Sequence, residues 1–112
     1  MSEYIPDKWV IVKISSKDYA DIYKIFACWY GGWAGSDSWK LNSGITRVSK
    51  KGYVYSFEGS SGSVYECHED SYGTNFYGGG VLDHMIKKAA DAGINIEILD
   101  ENVDPMTLNY GE

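Results

Sequence analysis

Basic residues are the first shortage in this chain: ten Lys and Arg stand against sixteen Asp and Glu, a net charge of −6. Affinity for a nucleic-acid backbone rests on clustered cations that release counterions, so this balance argues against a nucleic-acid partner and favours a basic partner or an uncharged one. Long apolar runs are missing too. No segment approaches the roughly 20 consecutive apolar residues of a membrane-spanning helix. The first seven residues, Met1 to Asp7, carry neither the basic nor the apolar stretch of an export signal. The expected compartment is the cytoplasm, with no membrane partner.

Cysteine and histidine are equally scarce, two of each. Cys28 and Cys67 lie in stretches that alternate like strands, where cysteine serves as a small buried hydrophobe, and both are expected to be reduced. His68 and His84 fall on different predicted elements, and neither shows the short ligand spacing of structural zinc. His68 is badly placed to activate Cys67, because neighbours on a strand point to opposite faces. Gly59-Ser60-Ser61-Gly62-Ser63 lacks the spacing and the strand-to-helix setting of a nucleophile elbow. No catalytic residue, metal ligand or cofactor is therefore assigned.

What the chain has in quantity is tyrosine and glycine, ten and thirteen. With Leu and Phe few, the core must be built from Ile, Val, Tyr and Trp, a mixture that favours sheet over helix. At 112 residues the chain is long enough for one core and one domain. Lys8 to Ile14 reads as a strand closed by Ser15-Ser16-Lys17-Asp18. Residues 21–30 fit an amphipathic helix on spacing, but their aromatic and β-branched content and the Gly31-Gly32 stop favour a strand. Residues 39–48 are strand-like, interrupted at Asn42-Ser43-Gly44, where the isolated Gly44 suggests a bulge or kink. Residues 53–58 and 63–69 continue a meander. Val81, Leu82, Met85, Ile86 and Ala89 define one apolar helix face, giving a helix over about 79–92 stopped by Gly93. Residues 94–99 alternate as a last strand. The expected fold is α+β: a single antiparallel sheet of five or six strands packed against one late helix, the last strand beside the first. About 1–7 and 101–112 are expected to be loosely held ends.

Two segments combine glycine with aromatics. Trp33 stands inside the loop 31–38, and Tyr72, Phe76 and Tyr77 stand in the segment before the helix. Exposed aromatics anchor protein interfaces, so these four are the interface candidates, whereas Trp9, Trp39, Tyr55 and Tyr65 are expected in the core. Gly78-Gly79-Gly80 ahead of a helix offers exposed N–H groups at a positive helix end, a candidate anion site. The competing reading is a flexible helix start with Asp83 serving the dipole. No P-loop Lys-Ser or Lys-Thr follows, and no dinucleotide fingerprint precedes.

The phrases Asp37-Ser38-Trp39-Lys40-Leu41-Asn42-Ser43-Gly44-Ile45 and Gly59-Ser60-Ser61-Gly62-Ser63-Val64-Tyr65-Glu66-Cys67-His68, followed by Ser71-Tyr72-Gly73-Thr74, carry a resemblance spanning most of residues 8–100. The chain resembles the small accessory proteins of T-even-type tailed bacteriophages. That resemblance implies a setting, the infected bacterial cytoplasm, and a role of binding and redirecting a host or defence protein. It carries over no catalytic residues. The leading expectation is a protein-binding module whose partner is a host bacterial protein. The alternatives are an anion-binding protein or enzyme using the glycine-rich helix start with His68 or His84 as acid or base, and a homo-oligomer paired through an edge strand.

Overall fold

The computed structural model describes residues 3–32 and 35–111. Its strands are β1 (Glu3–Tyr4), β2 (Lys8–Ser16), β3 (Tyr19–Trp29), β4 (Ser38–Leu41), β5 (Ile45–Lys51), β6 (Val54–Gly59), β7 (Val64–His68) and, after the helix α1 (Phe76–Asp91), β8 (Ile94–Ile98). They form two four-stranded sheets, in the orders β1-β7-β6-β5 and β4-β3-β2-β8. The fold is α+β, but the expectation of a single sheet of five or six strands is corrected to two sheets of four. The physical reason lies at Asn42-Ser43-Gly44. There the chain leaves β4 in one sheet and enters β5 in the other, and Gly44 turns it with a φ of 133° that L side chains rarely adopt. What reads locally as a kink within a strand is a corner between sheets.

The sheet holding β2 and β3 is the middle of three layers. From β2 and β3, Trp9, Ile11, Ile25 and Ala27 face the other sheet, where they meet Ile45, Tyr55, Phe57, Tyr65 and Cys67. Val10, Val12, Phe26 and Cys28 face the opposite way, onto Leu82 with Val81, Met85 and Ile86 of α1. A strand covered on both faces has no polar side to show, which is why Trp9-Val10-Ile11-Val12 and Ile25-Phe26-Ala27-Cys28 are continuous apolar runs. Residues 21–30, read as strand, lie largely in β3. Trp9, Tyr55 and Tyr65 are core residues, as expected. The last strand does lie beside the first long one: β8 pairs antiparallel with β2, from Val12 opposite Ile98 to Ser16 opposite Ile94.

The ends are more engaged than the sequence suggests. Glu3 and Tyr4 pair in parallel with Val64 and Tyr65. At the other end Leu108 and Tyr110 pack against the inter-sheet core, Tyr110 standing edge-on to Tyr23 at 5.7 Å and donating its hydroxyl to Pro105 O at 2.6 Å. Among the described residues no helix is long and apolar enough to cross a membrane.

The helix carries the apolar face read from its spacing but begins at Phe76 rather than near 79. Asn75 caps it: the Asn75 Oδ1 accepts the Gly78 N–H at 2.6 Å, while its Nδ2 donates to Trp29 O at 3.2 Å and ties the helix start to the end of β3. Glycine at 78 is a packing requirement, since a Cβ there would collide with the Cys28 Sγ, whereas a Cβ at Gly80 meets nothing within 4 Å. Substitutions at these two glycines, two positions apart, should therefore have opposite signs. Gly78→Ala should destabilise by about 1–3 kcal/mol through overpacking. Gly80→Ala should stabilise by about 0.5–1 kcal/mol through helix propensity. Urea unfolding of both variants checks this, and equal signs would contradict the close approach of α1 to β3.

Candidate functional site

Strand β4 has only four residues and forms one edge of the middle sheet. Its alternation sends Trp39, opposite Cys28 in β3, to the helix side, and Lys40, opposite Ala27, to the other side. Trp39 stacks on the buried Phe26 ring at 5.5 Å and 14° between planes. The first turns of α1 bring Tyr77, Val81, His84 and Met85 alongside it at helical spacing, one row of one helix face. Between strand edge and helix lies a broad, mainly apolar groove of about 640 Å³, also lined by Phe76 and Gly80. Gly80 contributes width, because no side chain projects from the helix at that point.

The aromatics of this groove are poorly covered. Phe76 is 100% exposed, Tyr77 46% and Trp39 37%. Isolated exposed apolar residues are ordinary, but three aromatics sharing one open groove form a contiguous patch of the kind that marks an interaction surface. Phe76 is the ridge of the patch. On its far side a second shallow groove runs past Thr74, Asp83 and Ile98. Burying an exposed Phe side chain is worth about 1.5–3 kcal/mol, a free energy the fold itself does not gain at Phe76.

The other sequence-predicted residues separate from this group. Tyr72 is half-buried: it stands edge-on to Trp9 at 4.9 Å, donates its hydroxyl to Leu99 O at 2.7 Å and accepts the Ile11 N–H at 3.1 Å. Burial pushes its phenol up. Trp33 lies outside the described residues. Of the glycine triplet, the Gly78 N–H is taken by the Asn75 side chain and the Gly79 N–H by Asn75 O at 2.8 Å. Asp83 lies in the next turn. These donors are engaged within the helix cap, and a nearby carboxylate opposes an anion there.

Trp39 was expected in the core and instead forms a wall of the groove. Its alternation within the strand is right, but β4 is an edge, so the outer part of the ring has no neighbouring strand to cover it. Met85 and His84 were missed as groove residues. The signal available for them was helical spacing from Tyr77 and Val81: His84 at i+7 and i+3, Met85 at i+8 and i+4.

The histidines stay apart. His68 caps a short 3-10 turn with Nδ1 accepting the Asp70 N–H at 3.2 Å, and its ring lies against Tyr53, while His84 lines the groove. Among the described residues no group of three or more His, Cys, Asp or Glu is placed to hold a metal. Both cysteines are free and buried, in different cores. Burial pushes both thiols up, Cys67 most strongly with a further contribution from Glu66. A thiol held protonated is a poor nucleophile.

Two buried asparagines contrast. Asn75 uses both ends of its amide, as above. Asn42, 3% exposed, accepts the Ile25 N–H on Oδ1 at 2.9 Å and donates its own N–H to Ile25 O at 3.0 Å, but Nδ2 has no hydrogen-bond partner among the described residues. A buried donor left this way costs about 1–3 kcal/mol.

The fold and groove define a three-layer sheet–sheet–helix domain with an apolar cleft at one edge. No protein-family model matches the chain, and no curated protein or solved structure is similar to it at a significant level. Its function is therefore read from its own geometry.

The buried thiol and phenol set an alkaline limit. Burial raises the Cys67 thiol above its ordinary 9.0 and takes Tyr65 from 10.0 to about 12. Both bind their protons more tightly folded than unfolded, so their contribution to stability is complete below the unfolded values and is lost as pH rises past them. Urea midpoints should be level from neutral pH to about 9 and then fall. Cys67→Ala, less stable at neutral pH through its cavity, should show a shallower fall. A decline equally steep in that variant would contradict the assignment of the limit to the Cys67 thiol.

Proposed function

We propose that this chain is a protein-binding module whose recognition surface is the groove between β4 and α1, with Phe76, Tyr77 and Trp39 as its aromatic anchors. The observation that carries the reading is the complete exposure of Phe76 at the rim of a continuous apolar groove. The partner is a protein segment that places apolar side chains in the groove and runs along the free edge of β4. Sheet-edge addition supplies main-chain hydrogen bonds, and the groove supplies side-chain selectivity. The net charge of −6 favours a segment with basic flanks, by steering more than by affinity. The resemblance to phage accessory proteins supports a host or defence protein of the bacterial cytoplasm as the source of that segment.

The free edge favours one second reading, pairing between two copies of the chain through β4. Sedimentation of the purified protein separates the two: a monomer leaves the groove for a different partner, and a dimer lost on Trp39→Ala assigns it to self-association.

The first reading predicts that tagged protein recovered from bacterial lysate carries a stoichiometric partner. With that partner purified, Phe76→Ala should weaken binding by about 2 kcal/mol, roughly 30-fold, as expected for a central aromatic anchor. Because Phe76 is outside both cores, its removal should leave folding stability within about 0.5 kcal/mol. Undiminished binding by a Phe76→Ala, Trp39→Ala double variant would remove the groove from consideration.

A further inference from the structure

The opposite side of β4 looks onto a second cavity, of about 300 Å³, at the mouth of the space between the two sheets. It is lined by Lys24, Lys40, Asn42, Ser43, Ser61 and Ser63, over the ring of Tyr65. Every one of these side chains can donate a hydrogen bond; Leu41 completes the lining as its one aliphatic residue, and no carboxylate among the described residues lines the cavity. That is an unusual local balance in a chain whose acidic residues outnumber its basic ones sixteen to ten.

The decisive group is Asn42. Its orientation is fixed, because the Ile25 N–H can only be accepted by Oδ1, and the amide nitrogen is thereby turned away from β3. Buried donors are almost always paired, and the other buried asparagine of this chain is. Asn42 Nδ2 is the exception among the described residues, and its residue lines the cavity. The surroundings are held in place for it. Ser43 Oγ accepts the Ser61 N–H at 2.9 Å, and the Ser60 N–H donates to Gly44 O at 2.9 Å, so the 42–44 corner and the 59–63 turn are locked together. The Ser43 hydroxyl keeps its own proton to give. Gly59 completes the arrangement: a Cβ there would stand 3.2 Å from Asn42 Nδ2 and 3.1 Å from Ser43 Oγ, pressing on both donors. Lys40 lies over the Tyr4 ring with Nζ 5.1 Å from its centre, which keeps the cation on this side of the strand.

We propose that this cavity binds a phosphate group, with Asn42 Nδ2 as its buried donor, the serine hydroxyls as the surrounding donors and Lys40 as the principal counter-charge. A tetrahedral oxyanion presents enough acceptors to satisfy several converging donors at once, and its bonds to a cation are the stronger, charge-assisted kind. The site is separate from the aromatic groove and does not depend on it.

The test is a titration of nitrogen-15-labelled protein with inorganic phosphate at constant ionic strength, chloride replacing phosphate in the control. The Asn42 side-chain amide signals and the backbone amides of residues 59–63 should shift and saturate at millimolar phosphate. Lys40→Gln should weaken the apparent affinity about tenfold. Gly59→Ala, which crowds the two donors without removing charge, should weaken it as well. If that variant proves unfolded, Ser63→Ala serves in its place. O-phosphoserine titrated in parallel distinguishes an esterified from a free phosphate, and saturation by either supports the proposal. Asn42 signals that do not move, that respond equally to chloride, or that titrate unchanged in Lys40→Gln would overturn it. Tighter binding of acetate than of phosphate would also overturn it, in favour of a planar carboxylate.

Discussion

The rest of the structure depends on the burial of one hairpin on both of its faces. β2 and β3 pair over most of their length, from Lys8 opposite Cys28 to Ser16 opposite Tyr19, and where Trp9–Val12 lie beside Ile25–Cys28 neither face of that ribbon is left to solvent. One face requires a second sheet and the other requires a helix. Every other element is placed by meeting one of those demands, and the polar outer face of the second sheet, with its Ser56–Glu66 hydrogen bond and Arg47–Glu58 ion pair, is where the demand ends. The aromatic content follows from the same constraint. With few Leu and Phe available, Trp9 bridges the sheets, meeting Tyr55, Phe57 and Tyr72 within 6 Å between ring centres and donating its indole N–H to His68 O.

This constraint also explains which parts of the fold are legible in the sequence. The two apolar runs of the hairpin, the 3.6-residue spacing of α1 and the alternation of β8 are local patterns, each set by the face it buries. The number of sheets is not local. Asn42-Ser43-Gly44 interrupts a strand-like run whether the chain kinks within a sheet or crosses to another, and only the long-range pairing of β5 with β6 and of β4 with β3 decides. β1 is invisible because two residues carry no periodicity. The helix start was misplaced because three consecutive glycines oppose helix on propensity, and it is the close approach of Gly78 to Cys28, fifty residues away in sequence, that reverses the preference.

The candidate surfaces divide along the same line. Phe76 and Tyr77 stand out in the sequence as aromatics between glycines, and they lie at the groove. Tyr72 has the same local setting, yet its hydroxyl is drawn into the bonds with Ile11 and Leu99 that join the exit of β8 to β2. Nothing within a few residues of it distinguishes an exposed aromatic from a half-buried one. Trp39 fails in the other direction, since a tryptophan alternating in a strand is a core residue unless the strand is an edge. Asn42 gives no sequence signal at all beyond its place in a turn-forming tripeptide. Its peculiarity is an amide half satisfied by a strand seventeen residues earlier in the chain.

β4 joins the two proposed surfaces, and its size makes that consequential. It pairs on one side only and through four residues, with Trp39 turned to the groove and Lys40 to the donor-lined cavity. Short, singly paired edges hold the low end of a protein's local stability. Under the two proposals, a partner at the groove and a phosphate at the cavity would each restrain these same four residues. Whichever bound first would bear the larger share of the ordering entropy. The double burial of β2 and β3 holds the frame on both faces, so both proposed surfaces are built on its edge rather than on its centre.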